Sequence, residues 1–176
     1  PSSTPLKTKH EIIENDAARS FIGFKELKNL PEADLQNQRR ELSLILHHFF
    51  ERHPGLSYYQ GLNSFGEVLL IYFGKSLASL ILDRWCMKYL KAYLSNEDFD
   101  REIKRHMFVA LKILEKEVPE YRQILGIEGD INDPAVAKER LGFIVSWIVT
   151  WFSYKMKNLD RIFRNFDFLM CSPPHM

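Results

Sequence analysis

The chain has 176 residues, of which 45% are hydrophobic and 27% charged, and its formal net charge is +1. A chain of this length and apolar content can fold as one domain with a sizeable core, which excludes a disordered, collagen-like or disulfide-rich protein. The nearly balanced charge argues against a nucleic acid as partner, because domains that bind nucleic acids carry a clear basic excess.

Helical spacing of apolar residues is found along most of the chain. Residues 1–9 are polar and basic and are predicted to form a flexible tail. Apolar periodicity predicts helices over 8–22, 34–53, 64–73, 76–94, 98–118, 135–157 and 159–170, with a short segment at 119–125 and a loop at 126–134. No stretch alternates with period two for long enough to indicate a sheet. We therefore predict one all-α, multi-helix globular domain over 1–176.

The end of the sequence suggests that the domain continues. The last predicted helix is strongly apolar, and its Phe163, Phe166, Phe168 and Leu169 need more protein to cover them. We therefore expect the domain to be C-terminally truncated. No signal peptide is visible, and the longest uncharged apolar stretch, 141–154, is shorter than the roughly 20 residues of a membrane span.

The first candidate for chemistry is the segment Ile-Glu-Asn-Asp-Ala-Ala-Arg at 13–19. Asp16 and Arg19 are three positions apart, so on a helix the carboxylate can hold the guanidinium. Arg19 also borders the apolar stripe, and its planar, permanently charged group is suited to bind a phosphate. The alternative is a surface ion pair, which is worth about 1 kcal/mol at most.

The second candidate is the polar segment Ser-Tyr-Tyr-Gln-Gly-Leu-Asn that begins at Ser57, after a helix break. Gly61 permits a tight backbone turn. The carboxamide of Gln60 can both donate and accept hydrogen bonds and is therefore suited to hold a water molecule. The alternative is a helix cap, in which Gln60 pairs with Ser57, or Glu67 with Ser64, in a capping box.

A metal site is not expected. The histidines and glutamate His47, His48, Glu51 and His53 lie close together in sequence, but on a helix His48 is rotated by about 100° from the face that His47 and Glu51 share. The His-Glu-x-x-His spacing of zinc enzymes is absent from the sequence, as are a glycine-rich phosphate loop and a Gly-x-Ser-x-Gly elbow.

Two other features are expected to be structural. Cys86 and Cys171 have apolar neighbours, which predicts that both are reduced and buried in a cytoplasmic protein. Basic residues such as Lys104 and Lys112 give the helix at 98–118 a positive side that would suit anionic lipid. Intervening glutamates dilute this charge, so a solvated face is the preferred interpretation.

Taken together, Ile-x-x-Asp-x-x-Arg at 13–19 and Tyr-x-Gln-Gly at 58–61 resemble the TBC family of Rab GTPase-activating proteins. The resemblance extends from about residue 12 to 174 and includes the segment 147–152 and the pair Arg164 and Asp167. The stretches 53–60 and 146–169 are most similar to the branch of that family anchored at the endoplasmic reticulum.

The resemblance implies a mechanism with two residues supplied in trans. Arg19 would enter the nucleotide site of a GTP-bound Rab and neutralise charge on the transferred phosphoryl group. Gln60 would orient the attacking water in place of the Rab's own glutamine. Asp16 would position Arg19, while Tyr58 and Gly61 would shape the loop that presents Gln60.

It further implies an activator that completes a partner's active site in vesicle-mediated, intracellular protein transport, rather than an independent enzyme. Mg²⁺ and GTP would be held by the Rab, so no cofactor or metal of the chain's own is expected. The protein would be cytoplasmic, and any contact with endoplasmic reticulum or Golgi membranes would be indirect or through segments outside this chain. The alternative is a non-catalytic helical scaffold that binds a small GTPase or another partner.

Overall fold

The computed structural model describes residues 8–131 and 134–171, and these ranges contain helices and turns but no β-strand. The all-α prediction is therefore confirmed. The seven α-helices of the described ranges are α1 Lys9–Ala18, α2 Glu32–Arg52, α3 Asn63–Trp85, α4 Phe99–Glu117, α5 Tyr121–Ile124, α6 Pro134–Thr150 and α7 Leu159–Cys171. Short helical turns of other types cover Lys25–Leu27, Cys86–Leu90 and Lys91–Leu94.

Helix α1 begins with a capping box. The Thr8 hydroxyl accepts a hydrogen bond from the Glu11 backbone N–H at 3.2 Å, and the Glu11 carboxylate accepts one from the Thr8 N–H at 2.7 Å. This reciprocal cap places Thr8 and Lys9 at the start of the helix, so they are not part of the tail predicted over 1–9. Residues 1–7 lie outside the described residues.

Helix α1 also ends earlier than predicted. The helix expected over 8–22 stops at Ala18, and Arg19 is its C-cap, with φ −97° and ψ 0°. Phe21 then takes a left-handed conformation with φ 67°. Its side chain and that of Phe24 are both buried, so burial of these two rings turns the chain away from the helix axis.

Helix α3 runs through the middle of the core and is bent at Gly74, whose φ of 65° interrupts the helical geometry. The break predicted between the helices at 64–73 and 76–94 is thus present as a kink. Asn63–Leu94 is the described helical stretch that is long and apolar enough, by length and composition, to cross a bilayer. Its first turns are buried against α2, as expected of a core helix.

Helix α6 ends at Thr150, not at residue 157 as predicted. Trp151 and Phe152 both have positive φ, at 46° and 66°. The reversal places the Trp151 ring in an aromatic cluster, with ring centroids 5.3–6.2 Å from those of Phe65, Trp85, Tyr89 and Phe166. Packing of this ring therefore decides where the helix stops.

Two cores result from this packing. The larger lies among α1, α2, α3 and α7, and a smaller one joins α4, α5 and α6. Phe166 is fully buried by the described residues, contrary to the expectation that it needs further cover, whereas Phe168 is 68% exposed. Cys86 is buried as predicted, but Cys171 is exposed because it lies at the end of α7.

Candidate functional site

A cleft of about 870 Å³ opens between the C-terminal end of α1, the start of α3 and the segment around the end of α6. Four of the five residues singled out from the sequence line it: Asp16, Arg19, Gln60 and Gly61. The fifth, Tyr58, does not line the cleft but forms a hydrogen bond with Asp16. The structure thus brings together two segments that are far apart along the chain.

Arg19 lines this cleft, and two hydrogen bonds fix its side chain. Its Nη2 donates to Asp16 Oδ1 at 2.5 Å, and its Nε donates to the backbone oxygen of Asn15 at 3.1 Å. The Arg19 side chain is 62% exposed, whereas that of Asp16 is 3% exposed. A buried carboxylate therefore orients a guanidinium that remains accessible to a ligand.

Asp16 also joins the two motifs directly. Its second oxygen, Oδ2, accepts a hydrogen bond from the Tyr58 hydroxyl at 2.7 Å. Burial, and then the neighbouring Asp16 charge, raise the pKa of Tyr58, so the phenol remains protonated and acts as the donor. Hydrogen bonds thus link Tyr58 to Asp16 and Asp16 to Arg19.

Replacing Tyr58 by Phe tests this chain of hydrogen bonds. We expect Tyr58→Phe to lower the free energy of unfolding by about 1–3 kcal/mol, because a buried carboxylate oxygen loses its partner. The measurement is urea denaturation. Tyr72→Phe is the matched control, since the Tyr72 hydroxyl donates to Asp160 at 3.0 Å in an exposed position. Equal losses in both variants would contradict the assigned role of Tyr58.

The loop that carries Gln60 packs against the end of α6. The hydroxyl of the buried Tyr59 donates to the backbone oxygen of Val149 at 2.9 Å. Gly61 has φ 108°, and a Cβ atom there would lie 3.1 Å from Thr150 Cγ2. Gly61 is therefore required both by its backbone conformation and by its close approach to the end of α6.

Gln60 itself is exposed, and its carboxamide makes no hydrogen bond within the described residues. The capping interpretations are wrong: α3 begins at Asn63 without a side-chain cap, and Glu67 bonds to the backbone of another segment. The amide of Gln60 is thus available at the cleft surface, which is what positioning a water molecule requires.

Glu67 is a site residue that sequence reasoning missed. It lines the cleft, is only 6% exposed, and its carboxylate accepts a hydrogen bond from the backbone N–H of Phe21. This bond holds the left-handed turn that follows Arg19. Burial raises the pKa of Glu67 to about 7, against the opposing effects of the Phe21 N–H and of the charges on Lys157 and Arg39.

The raised pKa predicts a pH dependence of stability. The pKa of Glu67 is about 7 in the folded protein and about 4.5 in the unfolded chain, so the folded state binds the proton more tightly. The free energy of unfolding therefore falls as pH rises from about 4.5 through 7. Relative to Glu67→Gln, the wild type should lose roughly 3 kcal/mol of unfolding free energy across that window. The measurement is urea denaturation of both proteins at several pH values. Parallel stability profiles would show that Glu67 does not titrate in this way.

Two lysines give the cleft mouth a positive charge in addition to that of Arg19. Lys155 and Lys157 both line the cleft, both are exposed, and neither forms an ion pair within the described part of the chain. Lys157 Nζ lies 5.0 Å from the centroid of the Phe24 ring. Both ammonium groups are therefore accessible from the cleft, although the charge of Lys157 also acts on the buried Glu67.

Other predicted features lie apart from the cleft. Arg164 and Asp167 are both exposed and form no ion pair within residues 8–131 and 134–171. The histidines considered as a metal cluster point to different partners. His53 bonds to Asp83 at 2.7 Å, whereas His48 lies 3.9 Å from Glu51.

The chain is similar to known proteins over most of its length. The family model described as Rab-GTPase-TBC domain matches residues 2–176. The GTPase-activating protein gyp10 of Schizosaccharomyces pombe is 26% identical over 159 residues, covering 90% of this chain and 39% of that protein. TBC1 domain family member 20 of Homo sapiens is 24% identical over 162 residues, covering 92% of this chain and 37% of that protein.

The Bos taurus protein of the same name is also 24% identical, with the same coverage. The chain thus spans less than two fifths of the length of these curated relatives. The match to the family model, in contrast, covers nearly all of this chain. With the helical fold, this match shows that the chain belongs to the Rab-GTPase-TBC domain family.

Proposed function

We propose that this chain is a GTPase-activating domain that supplies Arg19 and Gln60 to the nucleotide site of a GTP-bound Rab. One observation carries the proposal: both side chains are exposed and line the same cleft. The Asp16 carboxylate, bonded to Arg19 on one side and to Tyr58 on the other, ties the two segments together. Membership of the family and the similarity to the GTPase-activating protein of Schizosaccharomyces pombe support the same activity.

The chemistry of GTP hydrolysis suits this arrangement. Phosphoryl transfer passes through a loose transition state, so catalysis comes from positioning and electrostatic stabilisation. An arginine supplied in trans accelerates hydrolysis by about 10³–10⁵-fold, which corresponds to roughly 4–7 kcal/mol. Arg19 provides that charge from a helix end, and its bond to Asp16 fixes the guanidinium before the partner binds.

Gln60 would act on the attacking water. A carboxamide can accept a hydrogen bond from the water and donate one to the phosphate at the same time, which fixes the direction of attack. Tyr59 and Gly61 hold the loop against α6, so that the carboxamide need not be ordered by the partner alone.

The Rab would contribute the rest of the site. It would hold Mg²⁺ and GTP, so this chain would act without a cofactor of its own and without independent catalytic activity. The positive charges of Lys155 and Lys157 would favour approach of the partner's triphosphate. We place this activity in vesicle transport on the cytoplasmic side of endoplasmic reticulum or Golgi membranes.

Single-turnover hydrolysis tests the proposal. The chain is added to each of a panel of purified Rab proteins loaded with GTP, and phosphate release is followed. At least one Rab should be accelerated by orders of magnitude, and that Rab should bind the chain more tightly with GTP than with GDP. Equal affinity for the two nucleotide states, without acceleration of any Rab, would favour a non-catalytic scaffold instead.

A further inference from the structure

A second cluster of functional side chains lies between α1 and α2. His10 and Glu14 are one turn apart on α1, so they share a face, and His47 projects toward them from α2. One ligand atom from each of the three residues lies within 4.8 Å of the other two. None of the three lines the cleft that holds Arg19.

The hydrogen-bonding capacity of His47 is exceeded in this cluster. Its Nε2 lies 3.0 Å from His10 Nδ1 and 2.8 Å from Glu14 Oε1. An imidazole nitrogen carries either one proton or one lone pair. His47 Nε2 can therefore donate a full hydrogen bond to only one of these atoms, or accept one from His10 and face the Glu14 oxygen with no proton between them. A cation placed among the three atoms would instead accept a lone pair from each of them.

We propose that His10, Glu14 and His47 bind a divalent transition-metal ion, with Zn²⁺ as the representative. Two imidazole nitrogens and one carboxylate oxygen form a ligand set that zinc uses, with water in the fourth position. Tetrahedral bonds of 2.0–2.2 Å require ligand atoms about 3.3 Å apart, and two of the observed separations are 3.0 and 2.8 Å. The third separation, between His10 and Glu14, is at most 4.8 Å, and both side chains are exposed, so side-chain rotation can bring these ligand atoms to the required distance.

The surroundings of the cluster support a built site. The buried Ser43, one turn before His47 on α2, donates its hydroxyl to Glu14 Oε1 at 2.5 Å. Ligating carboxylates commonly have such an outer hydrogen bond, which fixes their orientation. The bound metal would join α1 to α2.

The experiment uses the 176-residue chain after removal of metal with a chelator. Isothermal titration with ZnCl₂ should show one saturable site, and zinc should raise the melting temperature. Co²⁺ should give visible absorption bands of nitrogen and oxygen coordination. His47→Ala and His10→Ala should each weaken zinc binding by more than about 100-fold, because each removes a direct ligand.

His48→Ala is the matched control, since His48 neighbours His47 on α2 but lies 3.9 Å from Glu51. This variant should bind zinc as tightly as the wild type. Should His47→Ala fail to fold in the presence of chelator, His10→Ala on the exposed face of α1 decides the question. Zinc binding that survives in His10→Ala, or the absence of saturable binding by the wild type, would overturn the proposal.

Discussion

Arg19→Ala is expected to reduce Rab-stimulated GTP hydrolysis by about 10³–10⁵-fold, because it removes the positive charge that would face the transferred phosphoryl group. Its cost in unfolding free energy should be about 1–3 kcal/mol, because the Asp16 carboxylate is only 3% exposed and loses one partner, while Tyr58 still donates to its other oxygen. The measurements are single-turnover hydrolysis and the melting temperature of the variant.

Arg101→Ala is the matched control for this substitution. Arg101 forms an ion pair with Asp98 at the same N···O distance of 2.5 Å and the same three-residue spacing, and its side chain is 70% exposed. It does not line the cleft. Its partner Asp98 is 35% exposed, so the control should lose less stability than Arg19→Ala, and it should retain full stimulation of hydrolysis. A loss of folding in Arg19→Ala, with the activity of the remaining folded fraction unchanged, would assign Arg19 a structural role instead.

Gln60→Ala should lower the stimulated rate by at least about 10²-fold, because a water displaced by 1 Å from its line of attack already costs that much. Its unfolding free energy should stay within about 0.5 kcal/mol of the wild type, since the side chain is exposed and makes no hydrogen bond within the described residues. The affinity for the GTP-bound Rab should change less than the rate.

The control for this substitution is Gln123→Ala. Gln123 is an exposed glutamine on the short helix α5 and does not line the cleft. It should leave both the rate and the stability unchanged. A reduction in rate that is matched by an equal reduction in affinity for the Rab would mean that Gln60 contributes to binding and not to the chemical step.

The sequence predicted helices well where an apolar stripe alone defines them, as in α2, which was expected over 34–53 and observed over Glu32–Arg52. It failed at the ends of α1 and α6. There the chain turns at Phe21 and Trp151, which are non-glycine residues with positive φ. Such turns are held by packing of the aromatic rings in the core, which no local pattern reveals.

The site shows the same division between local and distant contacts. The pairing of Asp16 with Arg19 follows from their spacing on a helix and was predictable. The bonds from Tyr58 to Asp16 and from Phe21 to Glu67 join residues 42 and 46 positions apart, so periodicity carries no signal for them. At the level of the sequence, only the resemblance to a known family connected the segment at 13–19 with the segment at 58–61.

Lys155 illustrates how one wrong element boundary hides a residue that lines the candidate site. The prediction of a continuous helix over 135–157 placed it and Lys157 on a helix. The observed turn after Thr150 instead brings both to the cleft.

The central claim is that this chain supplies both the charge and the water-positioning group to a partner's nucleotide. The most direct measurement is single-turnover hydrolysis by a responsive Rab whose own catalytic glutamine has been replaced by leucine. The wild-type chain should still accelerate this Rab, because Gln60 takes over that role, and Gln60→Ala should not. Acceleration of the unaltered Rab, with none of the leucine variant, would contradict the claim, since the Rab's own glutamine would then position the water.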